Sequence, residues 1–254
     1  MWQSQNVDNS KCSTLNVEHG NDKILIMLIT GEIYHLLNRG TEDRVIFKDR
    51  RDYERFLITI FECNDINSLP ENKQNRHRRC ENRIFSQEPN KPLVEILCLC
   101  LMPNHFHIAV KQAVDGGISK FMQKLGNSYT KYFNIKNNRK GSLFMSRYKS
   151  VHVGKDSQFE HLISYIHANP LDLVMPEWRE GKIKNPNKAR NFLENYVWSS
   201  YPFYENGKIL ELIRQIIKPK MVNAFYPKKG DHFDYISSWS ARCSTLNVEQ
   251  GGFE

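Results

Sequence analysis

The sequence predicts an α+β fold, in which helices pack on one face of an antiparallel sheet in a ferredoxin-like (RRM-like) or split βαβ arrangement. Three observations predict it. Segments with the two-residue period of strands are interleaved with longer segments of helical period, in the order β-α-β-β-α-β-α. The two central strands, 93–101 and 105–111, are joined by no more than the Pro103-Asn104 turn. The last helical segment stops at Pro170, which cannot continue a helix.

Each element has a local reason. Residues 32–38 read as a strand ending at Arg39-Gly40, and 49–64 as a helix with acids in its first turn and Phe56, Ile60 and Phe61 on its inner face. Residues 65–92 have little periodicity and include Arg76-His77-Arg78-Arg79, so they form an exposed insertion that either touches nucleic acid or is simply solvated. Residues 118–133 make an amphipathic helix carrying Phe121, Leu125 and Tyr132. A strand at 148–153 follows, and then Asp156 or Ser157 caps a helix that runs to about Asn169. One domain is expected over 27–204, between a disordered 1–26 and a C-terminal extension, 205–254, that is partly helical (208–217) and then disordered.

Bulk composition narrows the class. The 254 residues include 36 Lys and Arg against 28 Asp and Glu, a net charge of +8 that suits a partner with a phosphate backbone. The six cysteines, Cys12, Cys63, Cys80, Cys98, Cys100 and Cys243, form no CxxC pair, which points to a reducing cytoplasm. The early apolar run at 24–29 is too short for a bilayer and follows no basic n-region, so neither signal peptide nor anchor is expected. Cys12-Ser-Thr-Leu-Asn-Val-Glu18 recurs letter for letter as Cys243-Ser-Thr-Leu-Asn-Val-Glu249. Either both copies translate a DNA repeat flanking the gene, with Met27 as the true start, or they are matching segments that pair with each other.

The chemistry concentrates in two places. Met102-Pro-Asn-His-Phe-His-Ile108 puts His105 and His107 on one face of a strand. They are either alternating strand histidines or a half-site for a divalent cation. About sixty residues on, Phe159, Leu162, Ile163 and Ile166 make the buried stripe of a helix, flanked by His161, Tyr165 and Asn169 at successive turns. Tyr165 then stands between core and solvent, as a half-buried phenol bonded to water or as a nucleophile. His167 points elsewhere and is read as surface. A phenol is a poor nucleophile at neutral pH, but Mg²⁺ or Mn²⁺ held by imidazoles would polarise a phosphate for attack. The resulting phosphotyrosine conserves the bond for rejoining, which suits breaking and resealing DNA.

These residues resemble the single-tyrosine HUH transposases and, within them, the REP-associated tyrosine transposases. Four blocks carry the likeness in the family's order over about 31–204. They are Tyr34-His-Leu-Leu-Asn-Arg-Gly40 with Phe47 and Asp52-Tyr-Glu-Arg-Phe-Leu57; Leu101-Met-Pro-Asn-His-Phe-His107; Gly141 with Arg147-Tyr-Lys-Ser150; and Tyr165-Ile-His-Ala-Asn-Pro170 with Trp198-Ser-Ser-Tyr201. The resemblance implies that His105 and His107 bind the metal and that Tyr165 is the nucleophile. It implies Asn169 as a third ligand, but an amide is weak and His161, one turn earlier, competes. It further implies a substrate of single-stranded DNA folded into hairpins, cut to leave a 5′-phosphotyrosine by a monomer or a homodimer. Asn38, Arg39, Arg44, Arg147 and Lys149 are candidates for contacts to that DNA, or plain surface groups. A silent hairpin-binding protein on the same fold is the alternative. A phosphoesterase with paired His-x-Thr or His-x-Ser motifs ranks below both, because no such pair is present. The chain departs from a minimal member at 65–92, at 175–196 and after Tyr204.

Overall fold

The run Val94–Met102 carries a single charge, Glu95, and no alternation. A strand of that composition needs apolar cover on both faces, and that requirement organises the fold. The structure, a computed structural model, describes residues 13–19, 22–67, 91–180, 182–226 and 231–238. Strands β1 (Ser13–His19) and β2 (Asp22–Leu28) form a two-stranded antiparallel ladder. Strands β3 (Ile33–Arg39), β4 (Val94–Met102), β5 (His105–Gln112) and β6 (Lys149–Val153) form the main sheet in the order β4-β5-β3-β6, every pair antiparallel. This is the expected α+β class with the strand order of a split βαβ unit.

The two crossover helices, α1 (Arg50–Cys63) and α2 (Gly117–Lys136), lie together on one face, as crossovers of one hand require. Asp49 caps α1 by accepting the Asp52 amide at 3.2 Å. Leu36, Phe56, Phe106, Phe121, Tyr129 and Phe133 are fully or almost fully buried between these helices and the sheet. Each such side chain contributes about 1.5–3 kcal/mol on leaving water. Asp52, itself buried, ties the helices together by accepting bonds from Tyr132 Oη (2.9 Å) and Lys136 Nζ (2.6 Å).

Helices cover the other face too, which corrects the expectation of one covered face. Helix α3 (Asp156–Ala168) sets Phe159, Leu162, Ile163 and Ile166 against Cys98, Cys100, Ala109 and Val153. No crossover constrains α3, so it takes the face left open. A bulge assigns the side chains: pairing passes from Ile96↔Val110 to Cys98↔Ala109, leaving Leu97 as the extra residue. Val94 and Ile96 before the bulge, and Leu99 and Leu101 after it, meet α1 and α2, while Cys98, Cys100 and Met102 turn towards α3. The N-cap of α3 is Lys155, with no side-chain bond, rather than Asp156 or Ser157; Asp156 sits in the first turn, where the helix dipole favours an acid.

The C-terminal chain closes the outer edge of β4. Ser200 N bonds Leu99 O at 3.0 Å, Leu101 N bonds Trp198 O at 3.0 Å, and Lys218 N bonds Ile96 O at 2.7 Å. Helices α4 (Pro186–Asn195), α5 (Tyr201–Asn206), α6 (Glu211–Ile216), α7 (Lys220–Phe225) and α8 (Asp231–Ser237) build this extension, α6 being the shortened form of the helix expected at 208–217. The N-terminal 1–26, expected to be disordered, contains β1 and most of β2, with Thr14 opposite Met27. The first Cys-Ser-Thr-Leu-Asn-Val-Glu copy thus supplies most of β1 and pairs with β2; the second, 243–249, lies outside the described residues, as does most of the 65–92 insertion with Arg76–Arg79. Among the described residues no helix is long and apolar enough to cross a membrane.

Candidate active site

The pleat of β5 aims His105 and His107 at α3, with ring centroids 5.0 Å apart and planes at 87°. Both are buried. A third imidazole, which sequence reasoning passed over, joins them. In β3, His35 pairs with Ala109 and lies diagonal to His107, and its Nε2 sits 2.9 Å from His107 Nδ1, the rings stacked at 5.1 Å. The signal was a polar ring inside the apolar strand Ile33-Tyr-His-Leu-Leu37, but only the register shows what it touches.

Hydrogen bonding engages Nδ1 of both His105 and His107. Asn104 Oδ1 accepts from His105 Nδ1 at 2.6 Å, so His105 carries its proton there and keeps a lone pair on Nε2. The tautomer in which His107 Nδ1 donates to His35 Nε2 leaves His107 Nε2 with a lone pair likewise. Burial holds all three rings neutral. It pushes His35 down to about 3. It pushes His105 down to about 4, helped by the nearby charge of Arg39, and His107 well below its ordinary range, helped by His35.

Tyr165, half-buried on α3, presents its ring edge-on to His107 at 5.6 Å and to His35 at 6.1 Å. At the end of that helix Asn169 is fully buried and donates from Nδ2 to Tyr165 O at 2.7 Å, which aims its Oδ1 away from the helix. That oxygen accepts from Arg179 Nη2 at 3.3 Å, while Arg179 Nη1 donates to Tyr165 Oη at 3.1 Å. Arg179 comes from the 3-10 turn Pro176–Glu180. It belongs to the 175–196 departure, and nothing in its local sequence marked it.

The structure therefore gathers His105, His107, Tyr165 and Asn169. His161 sits one turn before Tyr165, half-exposed. The expected DNA contacts divide. Arg39 pairs in register with His105, and Lys149 with Leu37, itself opposite His107, so both cations border the histidine face; Arg39 also bonds Asp43 at 2.9 Å. Arg147 is exposed just before β6, and Arg44 lies 3.9 Å from Glu42. Asn38 has the opposite parity on β3 and donates to Ser146 O at 3.2 Å, a backbone tie rather than a group beside the imidazoles. His167 is not at the surface: it is fully buried and bonded to His232 at 2.6 Å and to Ser200 Oγ at 2.8 Å, because α8 covers it. A cavity lined by Ile60, Asn64, Val94, Ile96 and Ile216 lies on the opposite, α1 side of the sheet.

Two buried imidazoles that burial holds neutral, facing a helix that carries the Asn169 amide at its end, fit an open divalent-cation site that keeps several waters. Among the described residues no three His, Cys, Asp or Glu side chains converge as a closed metal cage.

The fold and this cleft define an α+β protein of split βαβ order whose sheet face sets paired histidines against a helix-borne tyrosine. Residues 73–169 match the family model described as "Transposase IS200 like", so the chain is similar to IS200-like transposases over a stretch that contains His105, His107, Tyr165 and Asn169 and ends before Arg179. A solved structure described as a REP-associated tyrosine transposase bound to a REP hairpin is similar at 14% identity and a TM-score of 0.41, covering 68% of this chain and 79% of that one. No curated protein matches the chain.

Proposed function

We propose that this chain is a metal-dependent endonuclease and strand transferase acting on single-stranded, hairpin-forming DNA, with Tyr165 as the nucleophile. The reading is carried by one observation: the Tyr165 ring meets the buried His107 ring edge-on, with His105 beside it on the same strand face. The family match over the same residues supports it. His105 and His107, with Asn169, would hold Mg²⁺ or Mn²⁺, which when bound supplies a Lewis acid for the scissile phosphate.

The protein's own groups account for the rest. Tyr165 Oη attacks phosphorus, the Oη–P bond forms and the P–O3′ bond breaks. The phenolic proton passes to solvent, the 3′ oxygen leaves as a hydroxyl, and the 5′ end stays on the enzyme as phosphotyrosine. The free 3′-hydroxyl of a receiving strand reverses the step. Arg39 and Lys149 border the histidine face, where their charges, with that of the exposed Arg147 before β6, would track the DNA backbone.

The test mixes the full chain with hairpin-bearing single-stranded DNA and Mn²⁺ and looks for a denaturation-resistant protein–DNA adduct. An adduct that Tyr165→Phe or EDTA abolishes supports the reading. Tight hairpin binding with no adduct would establish the silent binding protein instead.

A further inference from the structure

Arg179 stands outside the family-matched stretch, yet its guanidinium is bonded to the oxygen proposed above as the nucleophile. We propose that Arg179 is a catalytic residue that positions Tyr165 Oη and stabilises the negative charge this oxygen carries, both when the phosphotyrosine forms and when it is resolved. The proposal rests on the nickase reading and adds to it a group that the histidine and tyrosine motifs do not contain.

The guanidinium is held on several sides. Asp172 accepts from its Nε at 3.0 Å and from its Nη2 at 2.7 Å, the two-pronged geometry that a guanidinium fork matches and an ammonium does not. Trp178 Nε1 donates to the same carboxylate at 2.6 Å, fixing it in turn. The guanidinium carbon lies 5.1 Å from the Trp178 ring centroid and 5.4 Å from that of Tyr165, so the group packs beside both aromatic rings, whose centroids are 6.2 Å apart. Trp178 is buried and gives the assembly a firm floor.

If Arg179 served only the ion pair with Asp172, its Nη1 would need no particular partner. Instead Nη1 points at Tyr165 Oη, and Nη2 also reaches Asn169 Oδ1. One cation thus joins the nucleophile to the amide beside it. During attack, charge builds on Oη as its proton leaves and passes towards phosphorus as the new bond forms. In resolution the Oη–P bond breaks and the phenolate oxygen departs with the electron pair. A guanidinium stays protonated throughout, so it opposes this charge in both directions without exchanging a proton.

The test compares wild type, Tyr165→Phe, Arg179→Ala and Arg179→Lys, all full length, in single-turnover adduct formation with hairpin DNA and Mn²⁺. Hairpin affinity is measured separately in EDTA. Arg179→Ala should lower the rate on the order of 10²-fold, the size expected for one transition-state donor, while affinity stays within about twofold. Arg179→Lys should recover little of it. Added guanidinium ion should restore part of the Arg179→Ala rate and none of the Tyr165→Phe rate, a rescue that a purely structural role does not give. Wild-type speed in Arg179→Ala overturns the proposal, as does a loss that guanidinium leaves untouched and that follows a parallel loss of folding or DNA affinity. A wild-type protein that forms no Tyr165-dependent adduct overturns the nickase reading itself, a failure visible before Arg179 is altered.

Discussion

His35 Nε2 and His107 Nδ1 lie 2.9 Å apart in the middle of the main sheet, joining imidazoles 72 residues apart in the chain. Strand pairing of β3 with β5 makes the contact, and its consequence is chemical: it engages His107 Nδ1. A histidine ligand whose other nitrogen is bonded has a set tautomer and orientation.

His35→Phe keeps a stacked ring but removes the bond. Mn²⁺ affinity, followed by calorimetry or by the Mn²⁺ resonance signal, should fall about 10- to 100-fold, the range typical for loss of an outer partner of a metal ligand. Hairpin affinity without metal should hold. Unchanged Mn²⁺ affinity would show that His107 needs no such partner.

Salt dependence separates the basic residues. Arg39 and Lys149 border the histidine face and Arg147 is exposed near it, whereas Asn38 is tied to the Ser146 carbonyl. Removing a cation that touches phosphate should flatten the plot of log affinity against log salt by about 0.7 per contact on single-stranded DNA. Arg39→Ala and Lys149→Ala should each do this, and Asn38→Ala should not. Equal slopes in all three would remove this face as the DNA path.

The buried pair His167 and His232 makes the fold acid-sensitive. Burial keeps His232 down to about 3, and His167 well below its ordinary value of 6.5, with His232 adding to the effect. The unfolded chain takes up protons on both rings as pH falls through about 6.5, while the folded protein does so only at much lower pH. Stability is therefore fully present above about pH 6.5 and declines towards about pH 3, at about 1.4 kcal/mol per pH unit for each ring. Denaturant titrations at pH 7.5 and 5.5 should show the loss, and His232→Gln should reduce its slope. A pH-independent midpoint across that window would contradict the burial.

How the site came to be legible differs from residue to residue. His105 and His107 could be read directly, since a two-residue period puts neighbours on one face whatever the sheet order. Helical spacing put Tyr165 and Asn169 on one flank of α3, but their roles came only from the resemblance of the surrounding motif. His35 lies in the block Tyr34–Gly40, but its role is not legible there, because its partner depends on strand register, which no local window contains. Arg179 and Asp172 are seven residues apart, close in sequence but in an irregular segment without a period to read. His167 was misplaced because its cover, α8, arrives from 65 residues away.

The covering of the sheet is a different case. The unbroken apolar run of β4 already called for apolar contact on both faces, so the second layer of helices was written in the sequence even though one face was expected.

Taken alone, the chain determined the four strands of the main sheet, the helices α1 to α3, the α+β class and the histidine and tyrosine motifs, because each depends on periodicities within about twenty residues. Tertiary structure alone decided that His35 braces His107, that Arg179 grips the Tyr165 oxygen, and that α3 faces the histidines rather than the α1 side. Those outcomes depend on strand register, on the Leu97 bulge and on where the C-terminal chain packs, and all three arise from contacts between segments far apart in sequence.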